Sequence, residues 1–216
     1  MGSNQVSQLT GVFKMARKRN RQIRGNRQNI LAVYDRSNEY VRHAGDMWYP
    51  NAHYTAIEVG ELAGYTGDNA VAVGAGIISA LSPKRDWDGN VQDAKLVARG
   101  LEAPMQYGAN QYKAEQIRDG EHPLSVLGGV KVVPFYLAIV DPRGENAIPV
   151  IDRHAGAVYL GDNMTDKQQR KLSNVAVNTR IIHAYRIIAE QLNIHVHQLQ
   201  ATTWVEWRIE KGYATL

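Results

Sequence analysis

The chain has 216 residues, 44% of them hydrophobic, which is enough to build a core in one domain or in two closely joined lobes. It has no cysteine, and this excludes disulfides, cysteine-ligated zinc or iron–sulfur sites and a cysteine nucleophile. The longest weakly polar run, residues 70–81, is shorter than the roughly 20 residues of a membrane-spanning helix, and the N-terminus lacks the apolar stretch of a secretory signal. We therefore expect no membrane partner and a cytoplasmic location.

Positive charge is concentrated at the N-terminus. The net charge is +4, but residues 1–34 carry seven Lys or Arg and no acidic residue. A basic block of this density stays solvated or contacts polyanions, and phosphate backbones are the most common polyanions in the cytoplasm. We predict a basic segment in residues 1–28 and a helical domain in residues 29–216. The candidate DNA contacts of the segment are Arg17, Lys18 and Arg19.

The next part of the chain has the apolar spacing of short helices. Pro50 fits the first turn of a helix that Gly64 ends, because proline is tolerated there. Asp68 fits the N-cap of an apolar helix that runs to Leu81. Further helix boundaries are predicted at Gly100, Gly120 and Pro123.

A glycine-rich turn between two apolar segments is predicted in residues 124–140, LSVLGGVKVVPFYLAIV. The glycines permit positive φ and a close approach of a partner, and the following helix offers unpaired N–H groups to an anion. Such a turn can bind the phosphates of a nucleic acid whatever the base sequence. A Gly-Gly pair between helices is, however, more often an ordinary turn. The candidate contacts are Leu127, Gly128, Gly129, Val130 and Lys131.

Asp152 follows an extended segment and is predicted to stand at the start of a helix, in PVIDRHAGAVYLG (149–161). Aspartate at such a position commonly caps the helix by accepting hydrogen bonds from its first backbone amides. If capping is its role, the substitution Asp152→Asn should leave stability unchanged, because asparagine caps equally well.

The apolar spacing late in the chain predicts a long helix around residues 181–192 and a last helix that carries Trp204 and Trp207. Strand-like alternation is limited to the short stretches 131–133 and 148–151. We therefore predict an all-α fold of about ten helices.

His195 and His197 are the histidines that suggest a metal site. Residues two apart do not share a helix face, and no third ligand is evident in the sequence. We therefore expect neither a metal nor another cofactor.

Four sequence elements occur in an order that resembles the helix-hairpin-helix DNA glycosylase superfamily, to which endonuclease III belongs. They are LSPK (81–84), KAEQI (113–117), LGGVKVVPF (127–135) and VIDRH (150–154). The resemblance, which covers residues 70–210, implies two helical lobes with a cleft between them and a hairpin that binds the phosphates of one strand. It also implies that Asp152 faces a base turned out of double-stranded DNA.

The resemblance extends to individual residues. It implies that Lys84, in the loop after the first element, fills the gap left by the base, and the alternative for Lys84 is a solvated lysine of a turn. Arg153 and His154 adjoin Asp152, and either could contact phosphate, although a histidine there more often packs or caps. Aromatic residues can stack on a base, although on helices they more often belong to the core. The base-pocket candidates are Ser82, Trp48, Tyr49, Trp87 and Trp204.

Two departures from the superfamily pattern concern the hairpin. Lys131 occupies the place of the second hairpin glycine, and Val133 occupies the place of the lysine that forms a Schiff base in bifunctional members. These departures favour a monofunctional enzyme, without imine chemistry, or a protein that is not a glycosylase. In such an enzyme the carboxylate of Asp152 would stabilise the positive charge that develops on the sugar or deprotonate an attacking water.

Within the superfamily the chain most resembles short helical bacteriophage proteins with LSP, W, N, IDRHA and QAxTWVxWR signatures, in which W is Trp87 and N is Asn90. This resemblance implies a bacterial or phage-infected cell. A related phage branch is implicated in attaching an amine or amino acid to an activated 5-hydroxymethyluracil in DNA. Three hypotheses therefore stay open: a glycosylase for a modified or damaged base, which we prefer, a transferase acting on a DNA base, and a DNA-binding module without catalysis. We expect a monomer.

Overall fold

The structure, a computed structural model, describes residues 25–104, 108–145 and 147–213. These residues form eleven helices and no strand, so the predicted all-α fold of about ten helices is confirmed. None of the helices in the described ranges is both long and apolar enough to cross a membrane. The helices are α1 (Arg27–Arg36), α2 (Glu39–Leu62), α3 (Gly67–Leu81), α4 (Trp87–Ala98), α5 (Gly108–Arg118), α6 (Pro123–Val126), α7 (Val132–Val140), α8 (Arg153–Leu160), α9 (Asp166–Lys171), α10 (Val175–Leu192) and α11 (Val196–Glu210).

Several predicted boundaries agree with the structure. Pro123 begins the one-turn helix α6, and Asp152 is the N-cap of α8. Asp68 lies in the first turn of α3, whose N-cap is Thr66, so the predicted cap was wrong by two residues. In that position its negative charge still favours the helix N-terminus.

The prediction that a helix starts at Pro50 is wrong, because Pro50 lies inside α2. Proline has no N–H to donate to the carbonyl four residues earlier, which belongs to Asp46. In the structure Arg143 Nη2 donates to that carbonyl at 3.3 Å, and the same guanidinium group pairs with the Asp46 carboxylate at 2.7 Å. A side chain from another part of the chain therefore replaces the missing hydrogen bond.

The buried apolar side chains form two clusters. Core cluster 1 joins α2, α3, α4, α5 and α7, and α2 and α3 cross so closely that a Cβ on Gly74 would overlap the carbonyl group of Ala56. Core cluster 2 joins α1, α8, α10 and α11. The largest members of cluster 1 include Ile77, Ile78, Leu81, Ile117 and Ile139, and those of cluster 2 include Ile30, Ile151, Ile181, Tyr185, Ile188 and Leu199.

Helix α11 takes part in both clusters, since Ala201 belongs to core cluster 1 whereas Leu199 and Trp207 belong to core cluster 2. At its N-terminus, His195 Nε2 lies 3.1 Å from the carbonyl oxygen of Gly144. His197 lies within 3.2 Å of the carbonyl oxygens of residues 142 and 148. The two imidazoles thus hold the segment that leads from α7 to α8.

Candidate functional site

A cavity with a volume of about 600 Å³ lies between helices of the two core clusters. Its walls come from α2, the loop between α3 and α4, the N-terminal halves of α4, α7 and α8, the segment that precedes α8, helix α9, and one face of α11. Cavities of this size hold small organic ligands. The volume is therefore large enough for a nucleobase with its sugar.

Asp152 lines this cavity and is partly buried. Its Oδ1 accepts hydrogen bonds from the backbone N–H groups of His154 at 2.9 Å and Ala155 at 2.8 Å, as expected of an N-cap. Its Oδ2 accepts a hydrogen bond from the indole Nε1 of Trp204 at 3.0 Å. A carboxylate has about four lone-pair positions, so one position is left for a ligand.

The four predicted base-pocket aromatics, Trp48, Tyr49, Trp87 and Trp204, all line the cavity. The Trp48 ring is the centre of the group, with centroid distances of 5.0 Å to Trp87 and 5.6 Å to Trp204. Phe135, which the sequence analysis did not single out, also lines the cavity, 6.2 Å from Trp48. The rings thus serve the core and the cavity at once. Predicted Ser82 also lines the cavity, but its hydroxyl donates to the Ser79 carbonyl at 3.0 Å.

Cationic side chains outnumber carboxylates in the lining. Arg85 is paired with buried Asp93, with 2.8 Å between Nε and Oδ2. An anionic group on a ligand would offset the remaining excess of positive charge. The cations are Lys84, Arg85, Lys131, Arg153 and Arg208, and the carboxylates are Asp86 and Asp152.

His154 is buried beside these charges. Burial lowers its pKa, the Asp152 carboxylate acts in the opposite direction, and the cations of Arg153, Arg208 and Lys131 lower it further. Consistent with a neutral ring, His154 Nε2 accepts a hydrogen bond from Arg153 Nε at 3.1 Å. His154 is therefore a neutral part of the wall, and Arg153 is the exposed partner that can meet an anion.

Lys84 is exposed at the cavity and has an unusual backbone conformation, with φ of +65°. A residue with a Cβ in this left-handed region is strained by roughly 1 kcal/mol or more. Such strain is retained where the surrounding structure or a function requires it. The loop before α4 thus holds this lysine at the edge of the cavity.

The predicted hairpin is present between α6 and α7. Leu127 is buried in core cluster 1, whereas Gly128 and Gly129 are exposed. Gly129 has φ of +95°, and a Cβ on Gly128 would meet nothing within 4 Å, so the described chain itself does not require glycine at 128. Among the predicted hairpin contacts, Lys131 alone lines the cavity.

Lys131 is the N-cap of α7 and makes no side-chain cap hydrogen bond. Val133, at the place of the Schiff-base lysine, packs against core cluster 1 and does not line the cavity. The predicted contact Val130 lies in the hairpin, partly buried and outside the cavity lining. Arg17, Lys18 and Arg19 lie outside the described residues.

The structure thus brings ten predicted site residues to one cavity, and it adds others that sequence reasoning missed. Gln200, Arg208 and Asn90 line the cavity although no role was assigned to them. Signals for all three were present: Asn90 is one of the bacteriophage signatures, and in QAxTWVxWR the residues Gln200, Trp204 and Arg208 are four residues apart and share one helix face. The ten are Trp48, Tyr49, Ser82, Lys84, Trp87, Lys131, Asp152, Arg153, His154 and Trp204.

Residues 13–211 match the model of a family of unknown function, DUF7178, and the chain belongs to that family. The match includes every helix in the part of the chain that the structure describes, and every residue named in the cavity lining. No curated protein and no solved structure matches the chain.

Proposed function

We propose that this protein binds double-stranded DNA, takes one modified or damaged base into the cavity, and cleaves the bond between base and sugar as a monofunctional glycosylase-like enzyme. The observation that carries the proposal is Asp152, a carboxylate held by three donors in the wall of an aromatic cavity. A fixed anion beside aromatic walls suits a reaction in which a flat ring leaves and the sugar becomes positively charged.

The reaction would be a hydrolysis. The bond between C1′ and the base nitrogen breaks, and the base leaves with the electron pair and takes up a proton from solvent. The proton that Asp152 receives in the next step returns to solvent and balances this uptake. Water forms the new C1′–O bond and gives a proton to the Asp152 carboxylate, whose remaining lone pair is available for this step. The three hydrogen bonds keep the carboxylate in place throughout.

DNA binding is supported by the hairpin and by the cations. The exposed Gly128 and Gly129 allow a phosphate to approach the backbone closely, and the N-terminus of α7 follows. The exposed side chains of Lys84 and Arg153 lie at the same cavity. Phosphate contacts of this kind position a protein on DNA without reading the sequence.

The hairpin contact can be tested by Gly128→Ala. The added methyl group has free space in the described chain, so stability should stay the same or rise by up to about 1 kcal/mol. Affinity for duplex DNA should fall about tenfold, because the methyl group separates the backbone from a phosphate. Gly108→Ala, which also places its methyl group in open space, is the matched control and should leave DNA affinity unchanged. Equal affinity in both variants would remove the hairpin from the proposed interface.

Group transfer to a modified pyrimidine is the second candidate, and the excess of cations at the cavity favours it. A base activated by a phosphate-type leaving group would be held by cations such as Lys131 and Arg208. Asp152 would accept a proton from the incoming amine while the new C–N bond forms and the C–O bond to the leaving group breaks.

Mass spectrometry separates the candidates. The protein is incubated with DNA that carries modified bases, and free bases and digested nucleosides are both quantified. Release of a free base supports the glycosylase, whereas a heavier nucleoside formed in the presence of an amine supports the transferase. DNA binding with neither product would leave a binding module as the better description.

A further inference from the structure

Three side chains of α11 form a stripe along the cavity wall. Gln200, Trp204 and Arg208 are each four residues apart, all three line the cavity, and successive members are about 6 Å apart along the helix axis. Gln200 is 4% exposed, whereas Trp204 and Arg208 are partly exposed. The stripe therefore runs from the deep end of the cavity, at Gln200, past the Asp152 partner Trp204 towards its mouth.

The amide of Gln200 is oriented by a hydrogen bond from Tyr49. The hydroxyl of Tyr49 donates to Gln200 Oε1 at 2.7 Å, and both side chains are buried. Burial raises the pKa of Tyr49 well above its usual value, and the Asp152 charge raises it further, so the hydroxyl keeps the proton that it donates in this hydrogen bond. The Gln200 Nε2 group is thereby turned away from Tyr49, and its N–H groups have no acceptor among the described residues.

Asn90 supplies an unused acceptor in the same cavity. Its Nδ2 donates to the carbonyl of Ile78 at 3.1 Å, and a carbonyl can only accept, so the amide cannot be turned over. Its Oδ1 is buried and has no hydrogen-bond partner among the described residues. Buried acceptors without a partner are rare and need a reason, and a ligand N–H group would provide one.

We propose that Gln200 and Asn90 determine which base the cavity accepts, with Gln200 Nε2 donating to a ring carbonyl and Asn90 Oδ1 accepting from a ring N–H. The inference rests on the proposed function in that a nucleobase enters the cavity. The complementary ligand edge is a carbonyl next to an N–H, as in uracil, thymine and guanine. Cytosine and adenine present an amino group and a bare ring nitrogen at the same edge, which leaves both protein groups facing a like group.

Tyr49 acts in this scheme as a positioning residue, because it fixes the Gln200 amide and does not touch the base edge. Without its hydroxyl the Gln200 amide can turn over and offer an acceptor as easily as a donor. Tyr49→Phe should therefore reduce discrimination between bases. A merely structural hydrogen bond would change stability and leave the discrimination ratio as it was.

The first experiment measures binding of the free nucleotides dUMP and dCMP to the full chain by tryptophan fluorescence, since three of the four tryptophans line the cavity. We expect dUMP to bind about tenfold more tightly than dCMP, the cost of leaving buried groups unpaired. Tyr49→Phe should bring the ratio close to one, and Gln200→Glu, which removes the donor, should weaken dUMP binding to the level of dCMP. Equal binding of both nucleotides to the parent protein would overturn the proposal.

The matched control is Tyr65→Phe, which removes a hydroxyl that donates to the Arg118 carbonyl at 2.9 Å, outside the cavity lining. This variant should keep the parent ratio. A ratio that falls equally in Tyr65→Phe and Tyr49→Phe would assign the effect to stability and overturn the role of Tyr49.

The second experiment repeats the comparison in duplex DNA with one uracil or cytosine opposite an abasic analogue, so that neither base is paired. A preference for uracil that disappears in Gln200→Glu supports the proposal. DNA binding without base preference would overturn this inference and leave the proposed function standing. Discrimination between the free nucleotides without DNA binding would support this inference and overturn the proposed function.

Discussion

Two of the helix N-termini at the cavity, those of α4 and α8, come from opposite core clusters, and each follows an aspartate. On the α4 wall, Asp86 Oδ1 accepts from the backbone N–H of Gly89 at 2.8 Å, and the residue is exposed. On the α8 wall, Asp152 accepts from two backbone amides with one oxygen and from the Trp204 indole with the other. Capping accounts for the one hydrogen bond of Asp86 but for only two of the three that Asp152 accepts.

The difference between Asp86 and Asp152 shows how a capping residue can gain a second role. An N-cap needs one carboxylate oxygen, so the other is available for any group that the tertiary structure brings near. At Asp152 that group is an aromatic donor from α11, which also forms part of the cavity wall. The charge of Asp152 is thus fixed relative to the cavity, whereas that of Asp86 is left to solvent.

The largest effect is expected for Asp152→Asn. Asparagine has one acceptor, so its NH₂ group must face either the two backbone amides or the indole N–H, at a cost of about 1–3 kcal/mol in the free energy of unfolding. Base release should fall at least about 100-fold, because the negative charge is lost. The free energy of unfolding is measured by urea unfolding and the rate of base release by product analysis, both on one preparation.

The matched variant is Asp86→Asn, in which the single capping contact can be kept by the amide oxygen. Its stability should change by no more than about 0.5 kcal/mol. Equal destabilisation by the two substitutions would contradict the assigned difference between the walls. Full activity in Asp152→Asn would leave capping as the better account of Asp152.

The sequence predicted the cap but not its second partner. Asp152 at the start of a helix follows from local rules, and on those rules Asp152→Asn should leave stability unchanged. The structure corrects this expectation, because the indole donor lies 52 residues further along the chain. Contacts at such a separation depend on how α8 and α11 pack, which no local pattern encodes.

Other elements show the same division. The starts of α6 and α8 follow from proline and aspartate at boundary positions, and both were predicted. Pro50 was misplaced because the compensating donor, Arg143, comes from a distant loop. Gln200 was missed because its role depends on Tyr49, which lies 151 residues away in the sequence.

The second prediction removes the group that distinguishes the two walls. Trp204→Phe keeps an aromatic ring but takes the donor from Asp152 Oδ2, and should lower the free energy of unfolding by about 1 kcal/mol. In this background Asp152→Asn no longer opposes two donors, so it should cost about 1 kcal/mol less than in the parent protein. Activity should still be lost in the double variant, because the charge is absent. Additive stability changes would show that the indole contact has no energetic importance.

The third prediction concerns the α4 wall, where the loop holds Lys84 at φ of +65°. Lys84→Gly relieves the strain, so the variant should be at least as stable as the parent, with a gain of up to about 1 kcal/mol. Affinity for DNA should nevertheless fall severalfold, since a cation leaves the cavity edge. Asn193→Gly changes the other described non-glycine residue with positive φ, outside the cavity lining, and should leave DNA affinity unchanged.

The smallest effect is a dependence on pH that belongs to the α8 wall, because His154 is there and α4 has no histidine. Burial lowers the pKa of His154 in the folded chain, and nearby Arg153, Arg208 and Lys131 lower it further against the opposing effect of Asp152. Above the ordinary value of 6.5 the imidazole is neutral in both the folded and the unfolded chain, so pH has no effect through this group. As the pH falls below that value the unfolded chain takes up the proton first, and the free energy of unfolding decreases by at most about 1.4 kcal/mol per pH unit. His197, whose pKa burial also lowers, adds a second contribution of the same sign.

Urea unfolding between neutral pH and pH values below 6.5 should therefore show a smaller loss of stability in His154→Gln than in the parent protein. The exposed His43 serves as the control, and His43→Gln should keep the parent slope. An identical slope in His154→Gln and the parent would mean that the folded chain accommodates a charged imidazole beside Arg153, and the neutral wall assigned to α8 would have to be abandoned.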